Sequence, residues 1–121
     1  MQLPSAYAQT PPRELRAFGL RVLEQANLAV YRRACAENRY QGMGTTAVLA
    51  MVRGETAHIC HVGDSRCYLF RNGRLTQLTR DHSYVQELVE KGAITPQEAE
   101  NPPRKNVITR ALGVEKTVEP E

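Results

Sequence analysis

Tryptophan is absent and aromatic residues make up only 6% of the 121 positions, so the stacking platform that single-stranded nucleic acid requires is missing. Lysine and arginine outnumber aspartate and glutamate by only 16 to 13, a formal charge of +3, too small an excess to argue for a polyanionic partner. Cysteine occurs three times, at Cys35, Cys60 and Cys67, with no CxxC pair. That odd set reads as free thiols in a reducing compartment and not as a disulfide framework. No stretch approaches the ~18 consecutive apolar residues of a membrane span, and the opening MQLPSAYAQTPPR has neither the charged start nor the apolar run of a secretion signal. The expectation is a cytoplasmic protein with no membrane segment and no nucleic-acid partner. What is present, 41% hydrophobic and 24% charged residues, fits one ordinary domain large enough to build a core without a metal or disulfide staple.

Along the chain, the first 13 residues hold Pro4, Pro11 and Pro12 among small polar residues and read as a loose lead-in. From about Glu14 to Asn38 the apolar residues Leu15, Phe18, Val22, Ala26 and Ala29 recur at helical spacing, with Leu23 and Val30 widening the stripe. This predicts an amphipathic helix, ended by the Gly42-Met43-Gly44 run. The runs Thr45–Val52 and Thr56–Val62, separated by Arg53-Gly54-Glu55, predict an antiparallel hairpin. A second hairpin, Cys67–Arg71 with Arg74–Leu78, is predicted around Asn72-Gly73, the strongest two-residue hairpin signal. Val48 to Val52 are all apolar, so that strand should be covered on both faces. A short helix follows near Ser83–Lys91, then a new start at Thr95-Pro96-Gln97-Glu98, a break at Asn101-Pro102-Pro103 and an extended segment over Val107–Leu112. Sheet packed on sheet with the helix outside suits this order, yet the strands are too few to close a sandwich, as expected of part of a larger fold.

Three groups of residues carry chemical interest. Gly42-Met43-Gly44-Thr45-Thr46 lacks the lysine of a nucleotide-binding loop and opens a strand, so it reads as a tight turn. His58, Cys60 and His61 are zinc-ligand types, but strand alternation puts His58 and Cys60 on one face and His61 on the other. Gly63-Asp64-Ser65-Arg66 sits between the predicted hairpins, where glycine and aspartate also serve simple turns. Asp64 nonetheless offers a hard-cation oxygen at a strand end, and Arg66 is either a phosphate or carboxylate partner or the neighbour that orders the turn.

The longer string HVGDSRCYLFRNGRLTQLTRDHS, His61 to Ser83, preceded by GMGTTAV and followed by NVITRALG, resembles the central segment of the metal-dependent serine/threonine protein phosphatases of type 2C (PPM), the bacterial members above all. The resemblance implies an α+β fold, a partial α/β/β/α sandwich of antiparallel sheets flanked by helices, with residues 14–121 as the central part of one domain and 83–110 as its flap subdomain. It implies Mn2+ or Mg2+ as cofactor, phosphorylated proteins as substrates, a cognate serine/threonine kinase as counterpart, and hydrolysis by a metal-activated water. By position, Asp64 matches the ligand of an accessory third metal. Ser83 and Arg110 fall in the flap beside the substrate, and Gly42, Gly44, Thr45, Thr46, Gly63, Ser65 and Arg66 fall in the structural motifs.

The departures matter as much. The family's principal metal motifs, an upstream DGxGG and downstream SDG and DN, do not occur, and of 13 acidic residues only Asp64 and Asp81 are aspartates. No catalytic residue is therefore assigned within this chain. Two readings follow: a segment of a phosphatase, inactive when isolated, or a noncatalytic phosphatase-like regulatory or interaction module.

Overall fold

Residues 3–100 and 107–121 are described by the computed structural model. Helix α2, Leu15–Ala36, forms where the apolar spacing predicts it, entered through a single 3-10 turn at Pro12–Glu14 in which proline occupies the first helical position. Strands β1 (Ala47–Arg53) and β2 (Thr56–Val62) pair antiparallel from Ala47 opposite Val62 to Arg53 opposite Thr56. Strands β3 (Tyr68–Arg71) and β4 (Arg74–Gln77) form the second hairpin. Its turn residues Asn72 and Gly73 lie at φ 53° and 74°, the pair of positive angles that a two-residue turn of matching twist demands. Helix α3, Tyr84–Glu90, starts from Ser83, and a 3-10 turn covers Glu98–Glu100. Thr95 and Glu98 cap one another's backbone N–H there, as the sequence pattern predicts. The predicted break at 101–103 lies outside the described residues.

The core lies between α2 and one face of the β1–β2 sheet. Phe18 and Leu23 meet Met51, Cys60 and Val62, and Leu112 closes the cluster. The register places Met51 opposite His58, Leu49 opposite Cys60 and Ala47 opposite Val62, so one pleat face supplies these contacts. The class is the expected α+β. Several details differ. The helix packs on β1 and β2, not on both hairpins, and the two hairpins remain separate two-stranded sheets. Gly19 and Asn27 are on its buried face, whereas Ala29 is exposed. The second face of β1 is also less covered than expected: Val48 and Val52 are exposed, although His61, the cross-strand partner of Val48, is buried.

Residues 3–9, expected as part of a loose lead-in, form helix α1 (Leu3–Gln9). Pro4 falls in its first turn, where a missing N–H costs nothing, and Pro11-Pro12 follow its end. The helix is fixed by contacts remote in sequence. Tyr7 packs 6.3 Å from Phe18 between ring centroids and donates its hydroxyl to the Val52 carbonyl at 2.6 Å. The Arg53 guanidinium donates to the Tyr7 and Thr10 carbonyls and lies 4.6 Å over the Tyr7 ring. Among the described residues, no helix is long and apolar enough to cross a membrane.

Candidate active-site rim

The short motifs of the sequence close into a ring at one end of the β1–β2 sheet. Thr46 and Ser65 share a hydrogen bond between hydroxyls at 2.6 Å, joining the Gly42–Thr46 run to the GDSR turn. Gly63 of that turn is bound to His82 twice. Its N–H donates to His82 Nδ1 at 2.9 Å, and its carbonyl accepts the His82 N–H at 3.1 Å. His82 in turn accepts the Thr109 N–H at 2.9 Å, and Leu112 and Thr45 exchange backbone bonds at 2.7 and 3.0 Å, which returns the ring to its start. Gly63 is required by both space and angle: its φ is +106°, and an added Cβ would lie 2.4 Å from Thr46 Cγ2.

Within this ring Asp64 is half-buried at the end of β2, and among the described residues its carboxylate has no hydrogen-bond or ion-pair partner. Arg66 points elsewhere. It grips Asp81 with Nε at 3.0 Å and Nη2 at 2.7 Å and donates to the Tyr68 hydroxyl at 3.1 Å. The bonds to Asp81 first, and then to Tyr68, raise its pKa above the ordinary arginine value. Of the alternatives open for Arg66, the geometry selects the carboxylate partner.

Ser83 spends its hydroxyl on capping α3, accepting the Gln86 N–H at 3.1 Å. Arg110 donates to the Glu119 carbonyl at 2.9 Å and lies 3.8 Å from the Glu121 carboxylate. Gly42 and Gly44 are exposed ahead of β1, and Thr45 pairs with Leu112. Strand alternation separates His61 from His58 and Cys60, as predicted; Cys60 faces the core, where burial pushes its thiol pKa up.

Three residues that sequence reasoning left without a role complete the rim. His82, 1% exposed, stacks on His61 with ring centroids 4.5 Å apart and hydrogen-bonds Glu121 at 3.0 Å. Glu121 also accepts from Arg80 at 2.8 Å and exchanges backbone bonds with His61. Asn27, buried in mid-helix, donates to the Glu115 and Lys116 carbonyls at 3.0 and 3.1 Å and accepts the Gly113 N–H at 2.7 Å. The hint in the sequence is confined to Asn27, a polar residue on an otherwise apolar helix face.

Among the described residues, two places offer candidate metal donors. His61, His82 and Glu121 offer ligand atoms within 4.8 Å of one another, but two arginines already face that carboxylate, and the Nδ1 lone pair of His82 receives Gly63. The trio is a hydrogen-bonded clamp beside positive charge, a poor setting for a cation. Asp64 fits better, because it is an oxygen donor for a hard ion with no partner among the described residues. It fits one ion, not a pair: Asp81, the other aspartate, is committed to Arg66.

Comparison with known proteins places the chain in a family. Residues 8–95 match the family model Protein phosphatase 2C. Serine/threonine phosphatase stp of Listeria welshimeri is 43% identical over 106 residues, covering 88% of this chain and 42% of that protein. Serine/threonine protein phosphatase PstP of Mycobacterium tuberculosis is 44% identical over 86 residues, covering 71% of this chain and 17% of that protein. The crystal structure of the phosphatase Stp1 from Staphylococcus aureus superposes with a TM-score of 0.89 at 37% identity, covering 93% of this chain and 44% of that one. The PstP catalytic domain, solved with two manganese ions, superposes at 0.78 with 38% identity, covering 94% and 46%. The chain thus spans less than half the length of these relatives, yet the family model matches most of it, over residues 8–95, and it belongs to the Protein phosphatase 2C family.

Proposed function

We propose that this chain is a segment of a protein serine/threonine phosphatase, contributing the GDSR rim and one cation-binding carboxylate to an active site whose remaining ligands lie outside it. The observation that carries this reading is the Asp64 carboxylate, without a partner among the described residues and held between pinned neighbours at the end of β2, in a chain of this family. Bound Mn2+ or Mg2+ would supply Lewis acidity and an acidified water for hydrolysis of phosphoserine and phosphothreonine. Asp64 would hold an accessory ion, and the segment 83–110, with Ser83 and Arg110 at its two ends, would serve as the flap beside the substrate. A kinase that phosphorylates the same proteins and a cytoplasmic setting complete the reading.

One carboxylate holds too little charge for two cations, so the isolated 121-residue chain should hydrolyse a phosphothreonine peptide no faster than Mn2+ alone. The positive arm is a chimaera in which this chain replaces the matching segment of the PstP catalytic domain. Manganese-dependent hydrolysis should survive, and Asp64→Asn in the chimaera should lower turnover while the two principal ions stay bound. A chimaera that folds and holds manganese but leaves the peptide intact overturns the phosphatase reading and favours the noncatalytic module.

A further inference from the structure

We infer that His82 is a positioning residue that fixes the Gly63-Asp64 turn through its ring and thereby aims the Asp64 carboxylate. The inference rests on the reading of Asp64 as a cation ligand. Four polar groups of His82 are spent, and two of them go to one residue: backbone N–H to the Gly63 carbonyl and ring Nδ1 to the Gly63 N–H. A residue at φ +106° is a soft point in a chain, and this double bond pair removes its freedom. On the far side of Asp64, Ser65 is tied to Thr46 and Arg66 to Asp81. Asp64 is therefore the one member of the Gly63–Arg66 turn whose side chain is uncommitted while its neighbours are pinned.

The proton follows from the donors. Gly63 gives its N–H to Nδ1, so Nδ1 must carry a lone pair and Nε2 the proton, which it donates to Glu121 at 3.0 Å. Glu121 is kept an acceptor by Arg80, and the His61 ring, donating Nε2–H to the Arg80 carbonyl at 2.8 Å, lies stacked against the His82 ring. This is the arrangement by which outer residues orient metal ligands elsewhere, with a backbone turn in place of a ligating side chain.

The test uses the 121-residue chain and Mn2+ as probe. In 15N-labelled wild type, a through-hydrogen-bond coupling should connect the Gly63 amide nitrogen with His82 Nδ1, and the proton should sit on Nε2. In His82→Gln, whose amide reaches the Glu121 side but not Gly63, exchange of the Gly63 amide should quicken about tenfold, the loss of one buried hydrogen bond. His82→Asn, whose Oδ1 stands where Nδ1 stood, should restore protection. Mn2+ broadening at the Asp64 and Ser65 amides should need on the order of tenfold more ion in His82→Gln than in wild type or His82→Asn. Absence of the coupling, with a slowly exchanging Gly63 amide in both variants, overturns the positioning role. Broadening that is unchanged in Asp64→Asn overturns instead the ligand reading of Asp64, while leaving the coupling result to stand on its own.

Discussion

The Glu121 carboxylate shows how much one side chain contributes to the rim: Arg80, at 2.8 Å, pulls its pKa down to about 2, and the hydrogen bond from His82 acts in the same direction. Burial holds the His82 pKa below the ordinary value, with Arg110 and the His61 ring adding to the depression and Glu121 opposing it. In both cases the folded protein takes up its proton at lower pH than the unfolded chain does. The stability each group contributes is therefore complete above its unfolded pKa and fades as pH falls. For His82 the loss begins below about pH 6.5, and for Glu121 it follows below the usual carboxylate range. Urea midpoints should therefore fall as pH drops from 7 to 4, and His82→Asn, which has nothing to protonate, should flatten the upper part of that fall; an unchanged slope in this variant would place the titration elsewhere. The position of Asp64 was legible in the sequence, since Gly-Asp-Ser-Arg between two hairpins puts it at a strand end. Its supports were not, because His82 takes Gly63 and Glu121 as partners from 19 and 39 residues away, and no local pattern announces a polar side chain bonded to distant groups, just as none announces the bonds of Asn27 to backbone up to 89 residues away.

Among the elements, α2 carries a glycine at position 19 where alanine would gain about 1 kcal/mol of helix propensity. Close approach explains it, since an added Cβ would lie 2.5 Å from Met51 Cε and 2.8 Å from Cys60 Sγ. The methionine tip can swing aside, but the buried thiol turns about a single bond, and overpacking typically costs about 1–3 kcal/mol. The clash outweighs the propensity, so Gly19→Ala should destabilise by about 1 kcal/mol net. The double variant with Cys60→Ala should show a favourable coupling in denaturation midpoints, and additive single effects would mean that the helix does not sit this close. The same contact shows why the helix itself was readable but its buried face only in part: periodicity locates a stripe, while small or polar residues such as Gly19 and Asn27 join it for reasons that belong to the facing sheet. Helix α1 was missed on similar grounds. Its prolines read as breakers, and the Arg53 and Val52 contacts that hold it come from more than 40 residues away.

Across the whole molecule, stability is unevenly spread. One face of β1–β2 is sealed by α2, whereas every residue of β3 and β4 is exposed, including Phe70 at 71% and its cross-strand partner Leu75 at 64%. A two-stranded ribbon with both faces open is marginal on its own in water. This one is tied at its base, where Leu78 N–H reaches the Cys67 carbonyl at 2.8 Å, Cys67 N–H reaches Thr79 Oγ1 at 3.1 Å, and Arg66 clasps Asp81. The hairpin should accordingly open as a separate unit at lower free energy than the core. Native-state hydrogen exchange is expected to show β3 and β4 amides exchanging well before those of Leu49, Met51 and Cys60. Asp81→Ala removes the base ion pair and should speed exchange in Leu69 to Thr76 while leaving the β1–β2 amides unchanged. If the two sheets instead lose protection together in that variant, the hairpin and core form one cooperative unit and the rim is stiffer than its exposure implies.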